Sequence, residues 1–243
     1  MKAQSLALTA VFFAFTHVAS AEAPNFSKQR AAMVAIIRVH ARSYTKELGN
    51  KGIASKVLEA MRQTKRHLFL PERYRKLAYA DRPVSIGRGQ TISQPFIVAL
   101  MTHFANVKPG YAVLEVGTGS GYQAAILSKL AQKVCTIEII PSLGKDAANR
   151  LRELGYQNVS VRVGDGYKGW SECGPFDAII VTAALDHVPP PLIEQLKVGG
   201  RLVMPVGPVS GIQDLTVVDK TSPNQTKTHL VTPVRFVPFT RER

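Results

Sequence analysis

Apolar positions in the first third of the chain recur at helical spacing. From Arg30 to Leu48 they return about every 3.6 residues until Gly49-Asn50-Lys51-Gly52 interrupts them, and the pattern resumes from Ile53 to Met61. Residues 28 to about 63 are therefore expected to form two helices. Pro71 to Pro95 has no clear period and is rich in Pro, Gly, Arg and Asp. A helical run follows Gln94-Pro95 and reaches about Phe104. From Val113 the pattern changes. Short apolar runs at Ala112–Val116, Val134–Ile139, Val159–Val163, Ala178–Val181 and Leu202–Val206 alternate with helical segments at Gly121–Ala131, Ser142–Leu154 and Pro190–Leu196. Two further runs, Asp214–Asp219 and Val231–Val237, follow with no helix between them.

Strand-helix alternation implies right-handed crossovers between parallel strands. The expected fold class is α/β: a doubly wound, mostly parallel sheet with an antiparallel C-terminal hairpin and an N-terminal helical extension. The expected organisation is a leader over 1–21, an extension over 22–105, and an α/β core with its C-terminal strands over 106–243. There is no internal repeat.

The leader has the form of an export signal. Lys2 opens it, Leu6–Phe15 is a short apolar stretch, and Ala19-Ser20-Ala21 is a small-x-small cleavage site before Glu22. A cleaved product beginning at Glu22 and located in the periplasm or outside the cell is expected. The apolar stretch is too short for a usual membrane span, and no uninterrupted apolar run elsewhere reaches the ~20 residues one needs. The 243 residues carry 31 Lys and Arg against 17 Asp and Glu, a net charge of +14, which favours anionic partners. Aromatic residues make up only 7% of the chain and do not interleave with the basic runs Arg62–Arg66 and Arg73–Lys76. A nucleic-acid platform is therefore not expected. Two cysteines, Cys135 and Cys173, cannot build a disulfide framework. Cys135 lies in an apolar strand pattern and reads as a buried small hydrophobe, and a bridge between the two is possible without being indicated. The six histidines are scattered, and metal-ligand spacing is absent.

The chemistry concentrates after the first core strand. Glu115-Val116-Gly117-Thr118-Gly119-Ser120-Gly121-Tyr122 runs from a strand through a glycine loop into a helix. The glycines permit a tight turn and close approach of a ligand to the backbone. A dinucleotide fingerprint would place its third glycine where Tyr122 stands. A carboxylate at Glu115 would repel a pyrophosphate and suits a ligand with a cationic group. Glu138 ends the next strand, 23 residues on, near the ~20-residue offset at which an acid binds ribose hydroxyls. Asp165, in Gly164-Asp165-Gly166, ends the third, where it could accept from an exocyclic amine while Gly166 offers a backbone N–H to a ring nitrogen. Three acids at the carboxyl ends of successive strands lie where open α/β sheets bind ligands. Adenosine with a cationic tail fits them best, which points to S-adenosyl-L-methionine as the methyl donor.

On these and further residues the chain resembles the protein-L-isoaspartate O-methyltransferases, repair enzymes that use S-adenosyl-L-methionine. The matching segments are Arg66–Pro71, Tyr79–Asp81, Gly89-Gln90-Thr91-Ile92-Ser93-Gln94-Pro95, Leu114–Tyr122, Gly164–Gly166, Phe176–Ala184, Gly199–Gly207 and Val234–Pro238. They span nearly all of residues 28–240, and the Gly89–Pro95 segment is the most specific. The resemblance implies methylation of the α-carboxyl group of L-isoaspartyl residues in proteins or peptides by a monomer. It assigns Ser93 to the active site, and Gln90, Thr91, Ile92, Ala183, Ala184, Val237 and Thr240 to substrate contacts. Gly117, Thr118, Gly119, Ser120 and Gly121 join Glu115, Glu138, Asp165 and Gly166 around the cofactor. Where relatives often carry a His five positions after the serine, this chain has Val98. Spacing alone reads Ser93 as a helix N-cap. Tyr167 and Trp170 are expected to pack near the adenine side or to cover the core. The competing readings are another class I O-methyltransferase acting on a small acid, and a basic nucleic-acid or cofactor-binding module without turnover.

Overall fold

The computed structural model describes residues 25–242; the leader and its cleavage site lie outside them. Helix α1 (Phe26–Ala41) begins earlier than its apolar period suggests, because the Asn25 side chain accepts a hydrogen bond from the Lys28 N–H and caps it. The expected long helix does not run to Leu48. A 3-10 turn over Arg42–Tyr44 breaks it, and a single helical turn, α2 (Thr45–Leu48), follows. Helix α3 (Ser55–Gln63) buries Val57, Leu58, Ala60 and Met61. The stretch without a period folds into 3-10 turns and a small hairpin, β1 (Val84–Gly87) and β2 (Gln90–Ile92). The two residues between these strands, Arg88 and Gly89, both have positive φ (55° and 73°), the turn geometry that matches strand twist in a two-residue hairpin.

Helix α4 (Pro95–Phe104) leads into the core: β3 (Ala112–Val116), α5 (Tyr122–Ser128), β4 (Lys133–Glu138), α6 (Pro141–Glu153), β5 (Val159–Val163), β6 (Phe176–Val181), α7 (Pro190–Gln195), β7 (Leu196–Val206), β8 (Gln213–Ser222) and β9 (Gln225–Val234). The strand order is β5-β4-β3-β6-β7-β8-β9. The first five are parallel, and β8 and β9 add an antiparallel hairpin at one edge. Both hairpin strands start earlier and pair over longer stretches than expected, and β9 stops at Val234, so that Arg235–Val237 leaves the sheet.

Successive strand residues face opposite sides of the sheet. Val113, Val134, Ala178 and Val203 join a core with α1, α3, α4 and α5. Leu114, Ile137, Ile179 and Leu202 join a second core with Leu192 and Phe239. Cys135 belongs to that second core but is not a lone hydrophobe: it is disulfide-bonded to Cys173, with Cα atoms 6.6 Å apart. The pairing was invisible in the sequence because it joins β4 to a loop 38 residues away.

The start of α4 is satisfied from a distance. Gln94 occupies the N-cap position without bonding the helix through its side chain, and the Asp81 carboxylate accepts from the Phe96 N–H at 2.8 Å. Ser93 is therefore not the cap that spacing suggests. Replacing Asp81 with Ala should remove this acceptor and cost about 0.5–2 kcal/mol in denaturant unfolding. An unchanged midpoint would show that the helix start does not depend on it.

Candidate active site

Strand β3 has neighbours β4 and β6 on either side, so chain connections diverge at its carboxyl end and leave a crevice there. A cavity, open at its mouth, occupies this place. The glycine loop forms its floor. Gly117 has φ 96°, and a Cβ there would lie 2.3 Å from the Thr182 hydroxyl, which donates to the Gly117 carbonyl at 2.7 Å. Only glycine allows β3 and β6 to approach this closely at the cavity. Thr118, Gly119 and Ser120 also line it, whereas Gly121 does not. The third glycine instead gives the left-handed turn before α5 and lies against Leu151 of α6.

Glu115 is fully buried on the cavity wall. Strand register sets it beside Thr136, whose hydroxyl donates to Oε2 at 2.5 Å. Its other oxygen, Oε1, is buried with no hydrogen-bond partner. Burial pushes the carboxyl up to about 8; the Thr136 hydrogen bond and the Ala124 backbone N–H oppose this, and nearby Glu138 reinforces it. An unpartnered oxygen on a desolvated acid is a receptor for a cationic group. Glu138, at the end of β4, accepts from the Gly119 N–H at 2.7 Å and the Ile140 N–H at 3.0 Å. These bonds tie the glycine loop to the next strand and hold the carboxylate at the cavity edge, where its remaining lone pairs can accept from a diol.

The third acid is placed differently. Asp165 does not line the cavity. Its Oδ1 accepts from the Tyr167 N–H at 3.0 Å, and its Oδ2 pairs with Arg241 at 3.3 Å. Gly166 lines the cavity in its stead; a Cβ there would lie 2.3 Å from Val116 Cγ1. Tyr167 and Trp170 are also absent from the lining: Arg241 lies over the Tyr167 ring at 3.6 Å and Arg162 over Trp170 at 4.6 Å.

Gln90, Thr91, Ile92 and Ser93 approach from the side of the hairpin β1–β2, and Ala183, Val237 and Thr240 close the remaining wall. Ala184 does not line the cavity. It is fully buried, and its backbone donates to the Val237 carbonyl and accepts from the Phe239 N–H, which pins the C-terminal segment in place. The sequence reading missed Gln123, while Thr182 lines the cavity beside Ala183 in the segment Phe176–Ala184 that carries the resemblance. Gln123 Nε2 donates to the Thr102 hydroxyl, and its Oε1 is buried without a partner on the cavity wall. Its signal was a lone amide in the apolar run Tyr122–Leu127.

A second, larger cleft of about 1,670 Å³ adjoins the first. The two share Thr91, Ser93, Thr182 and Val237. Ser93 thus lies at their junction, and no described residue hydrogen-bonds its hydroxyl. Its backbone is held by Arg66, which is fully buried and donates to the Ser93 carbonyl at 2.7 Å and the Ala78 carbonyl at 2.8 Å. Burial lowers the Arg66 guanidinium to about 10, so it remains charged at neutral pH. It also lies over the Tyr122 ring at 4.7 Å, joining the Ser93 segment to the helix that follows the glycine loop. Among the described residues no cluster of His, Cys, Asp and Glu could hold a metal ion, and no helix is long and apolar enough to cross a membrane.

Comparison with known proteins bears on this geometry. The family model of protein-L-isoaspartate(D-aspartate) O-methyltransferase matches residues 41–243. Protein-L-isoaspartate O-methyltransferase 2 of Polaromonas sp. (strain JS666) is 54% identical over 197 residues, covering 81% of this chain and 93% of the relative. That of Syntrophobacter fumaroxidans is 50% identical over 223 residues, covering 92% and 90%. A solved Plasmodium falciparum structure, described as a protein-L-isoaspartate O-methyltransferase in complex with S-adenosyl-L-homocysteine, superposes with a TM-score of 0.69 at 26% identity, covering 83% of this chain and 99% of its own.

The state of Glu115 gives a measurable consequence. The folded protein holds this proton up to about pH 8, whereas the free carboxyl loses it near 4.5. Between those values the unfolded chain binds fewer protons, so the contribution of Glu115 to stability falls as pH rises. The melting temperature of the ligand-free wild type should drop relative to Glu115→Gln from pH 5 to pH 8. Parallel curves would show that the acid titrates normally.

Proposed function

The chain belongs to the protein-L-isoaspartate(D-aspartate) O-methyltransferase family and transfers a methyl group from S-adenosyl-L-methionine to the α-carboxyl group of L-isoaspartyl residues, and we propose that it does so at the junction of the two cavities, around Ser93. The ester so formed starts repair by closing to a succinimide. The observation that carries this site assignment is the position of the Ser93 hydroxyl: unbonded within the protein and shared by the cavity and the cleft.

The residues of the first cavity fit the methyl donor. The free oxygen of Glu115 takes the cationic amino-acid end, Glu138 takes the ribose hydroxyls, and the glycine loop and Gly166 allow the backbone to come close. The donor supplies an electrophilic methyl group on a sulfonium sulfur. The substrate carboxylate is already ionised at neutral pH, so no residue needs to act as a general base. What the chain must provide is alignment and exclusion of water, and good alignment is worth about 7–11 kcal/mol of the barrier. Neutral donors serve here better than a cation, because a strong ion pair would blunt the nucleophile. The hydroxyls of Ser93 and Thr91 are such donors at the junction. Arg66 is kept off the nucleophile and fixes Ser93 through the backbone only. The small Ala183 leaves room for substrate backbone. The second cleft, larger than the first and continuous with it, leaves room for a polypeptide rather than a small acid as the substrate.

Export to an oxidising compartment is the second part of the proposal. The leader Lys2–Ala21 and the pairing of Cys135 with Cys173 both support it.

The activity is tested with a peptide pair differing only in the isoaspartyl linkage. Methyl incorporation is expected into the isoaspartyl member and not its aspartyl twin; equal labelling or none would count against the reading. Ser93→Ala should lower kcat at least tenfold while leaving the affinity for S-adenosyl-L-homocysteine within twofold. Normal kcat would remove Ser93 from the reaction. Export predicts that protein recovered from its native host begins at Glu22 and, when unfolded, shows no free thiol. An intact Met1 with two titratable thiols would overturn it.

A further inference from the structure

One wall of the second cleft comes from the N-terminal helix. His40, from α1, lines it together with Ser43 and Tyr44 from the turn that follows. The His40 ring is held on two sides. Its Nδ1 lies 2.7 Å from Asp81 Oδ2, and its ring meets Phe96 edge-on, with centroids 5.5 Å apart. Asp81 is itself fixed, being nearly buried and bonded to the Phe96 N–H and to the Gln94 side chain. About half of the His40 side chain remains exposed, and no described residue bonds its Nε2.

A histidine aimed by a buried carboxylate, with its second nitrogen left over, is a directed polar group rather than a solvated surface side chain. Its place matters. The cleft it lines runs to Ser93 and Thr91, where the site proposed above puts the reacting carboxylate. Among the residues lining this cleft, His40, Tyr44 and Arg235 are the ones with a titratable or charged side chain, and no carboxylate is among them.

We propose that His40 is a substrate-positioning residue: held by Asp81 and Phe96, it uses its free Nε2 to bind the polypeptide flanking the isoaspartyl residue. The occupant is the isoaspartyl peptide itself, because the cleft is continuous with the methyl-transfer junction through Thr91, Ser93, Thr182 and Val237. The assignment rests on the activity proposed above. It adds that the N-terminal helix contributes to substrate recognition. Hydrogen-bond complementarity of this kind acts on binding more than on chemistry.

The test uses the full-length protein and an isoaspartyl peptide of at least six residues. His40→Phe should raise the peptide KM at least fivefold, leave kcat within twofold, and leave the affinity for S-adenosyl-L-homocysteine unchanged. His40→Gln, which keeps a polar end, should recover most of the lost KM. An unaltered peptide KM in His40→Phe would overturn the assignment. So would a KM increase accompanied by an equal loss of S-adenosyl-L-homocysteine affinity, which would mark a general structural role. If wild-type protein methylates no isoaspartyl peptide, the activity itself fails, and the role of His40 with it.

Discussion

One half-satisfied carboxylate organises the site. Removing an ionised acid from water costs several kcal/mol unless partners replace the solvent. Glu115 is held by the Thr136 hydroxyl on Oε2 and eased by the nearby Ala124 backbone N–H, while Oε1 makes no hydrogen bond of its own. The fold meets part of this cost by letting the acid keep its proton to about pH 8. A cation arriving at Oε1 supplies what is missing, so the binding energy of the ligand is spent on a defect built into the free protein. The surrounding features follow from the need to bring a ligand to that oxygen: a glycine loop without side chains in the way, a sheet that diverges at β3, and Glu138 bracing the loop from the next strand.

A second set of buried polar groups frees Ser93. A serine beside a helix start would ordinarily spend its hydroxyl on the first free amides. Here Asp81 takes the Phe96 amide from 15 residues away, and Arg66 takes the Ser93 carbonyl. The hydroxyl is left for what enters from outside. The same Asp81 directs His40 into the neighbouring cleft. One carboxylate thus supports both the reacting end and the recognition surface, while Arg66 connects them to the glycine loop through Tyr122.

Much of this was legible in the chain. Short apolar runs alternating with period-3.6 segments marked the parallel core and its order of elements, because β3, β4 and β6 are buried on both faces. The glycine loop, Glu115 and Glu138 were found because their roles depend on local spacing at strand ends. What remained hidden depends on partners distant in sequence. The strand end of Asp165 is plain, but its engagement by Arg241 comes from the C-terminal segment 76 residues away. The hairpin β1–β2 is too short to show a period and is marked only by its turn at Arg88-Gly89. The cap reading of Ser93 failed because the real acceptor, Asp81, comes from another segment. The disulfide and the His40–Asp81 pair were unreadable for the same reason.

The central claim is that Glu115 exists in this form to hold a cationic amine. Calorimetric titration of wild type and Glu115→Gln with S-adenosyl-L-homocysteine, and with 5′-methylthioadenosine, which lacks the amino-acid end, tests it directly. The wild type should prefer S-adenosyl-L-homocysteine strongly, and that preference should shrink at least tenfold in Glu115→Gln while binding of 5′-methylthioadenosine stays nearly constant. An equal preference in both proteins would contradict the account.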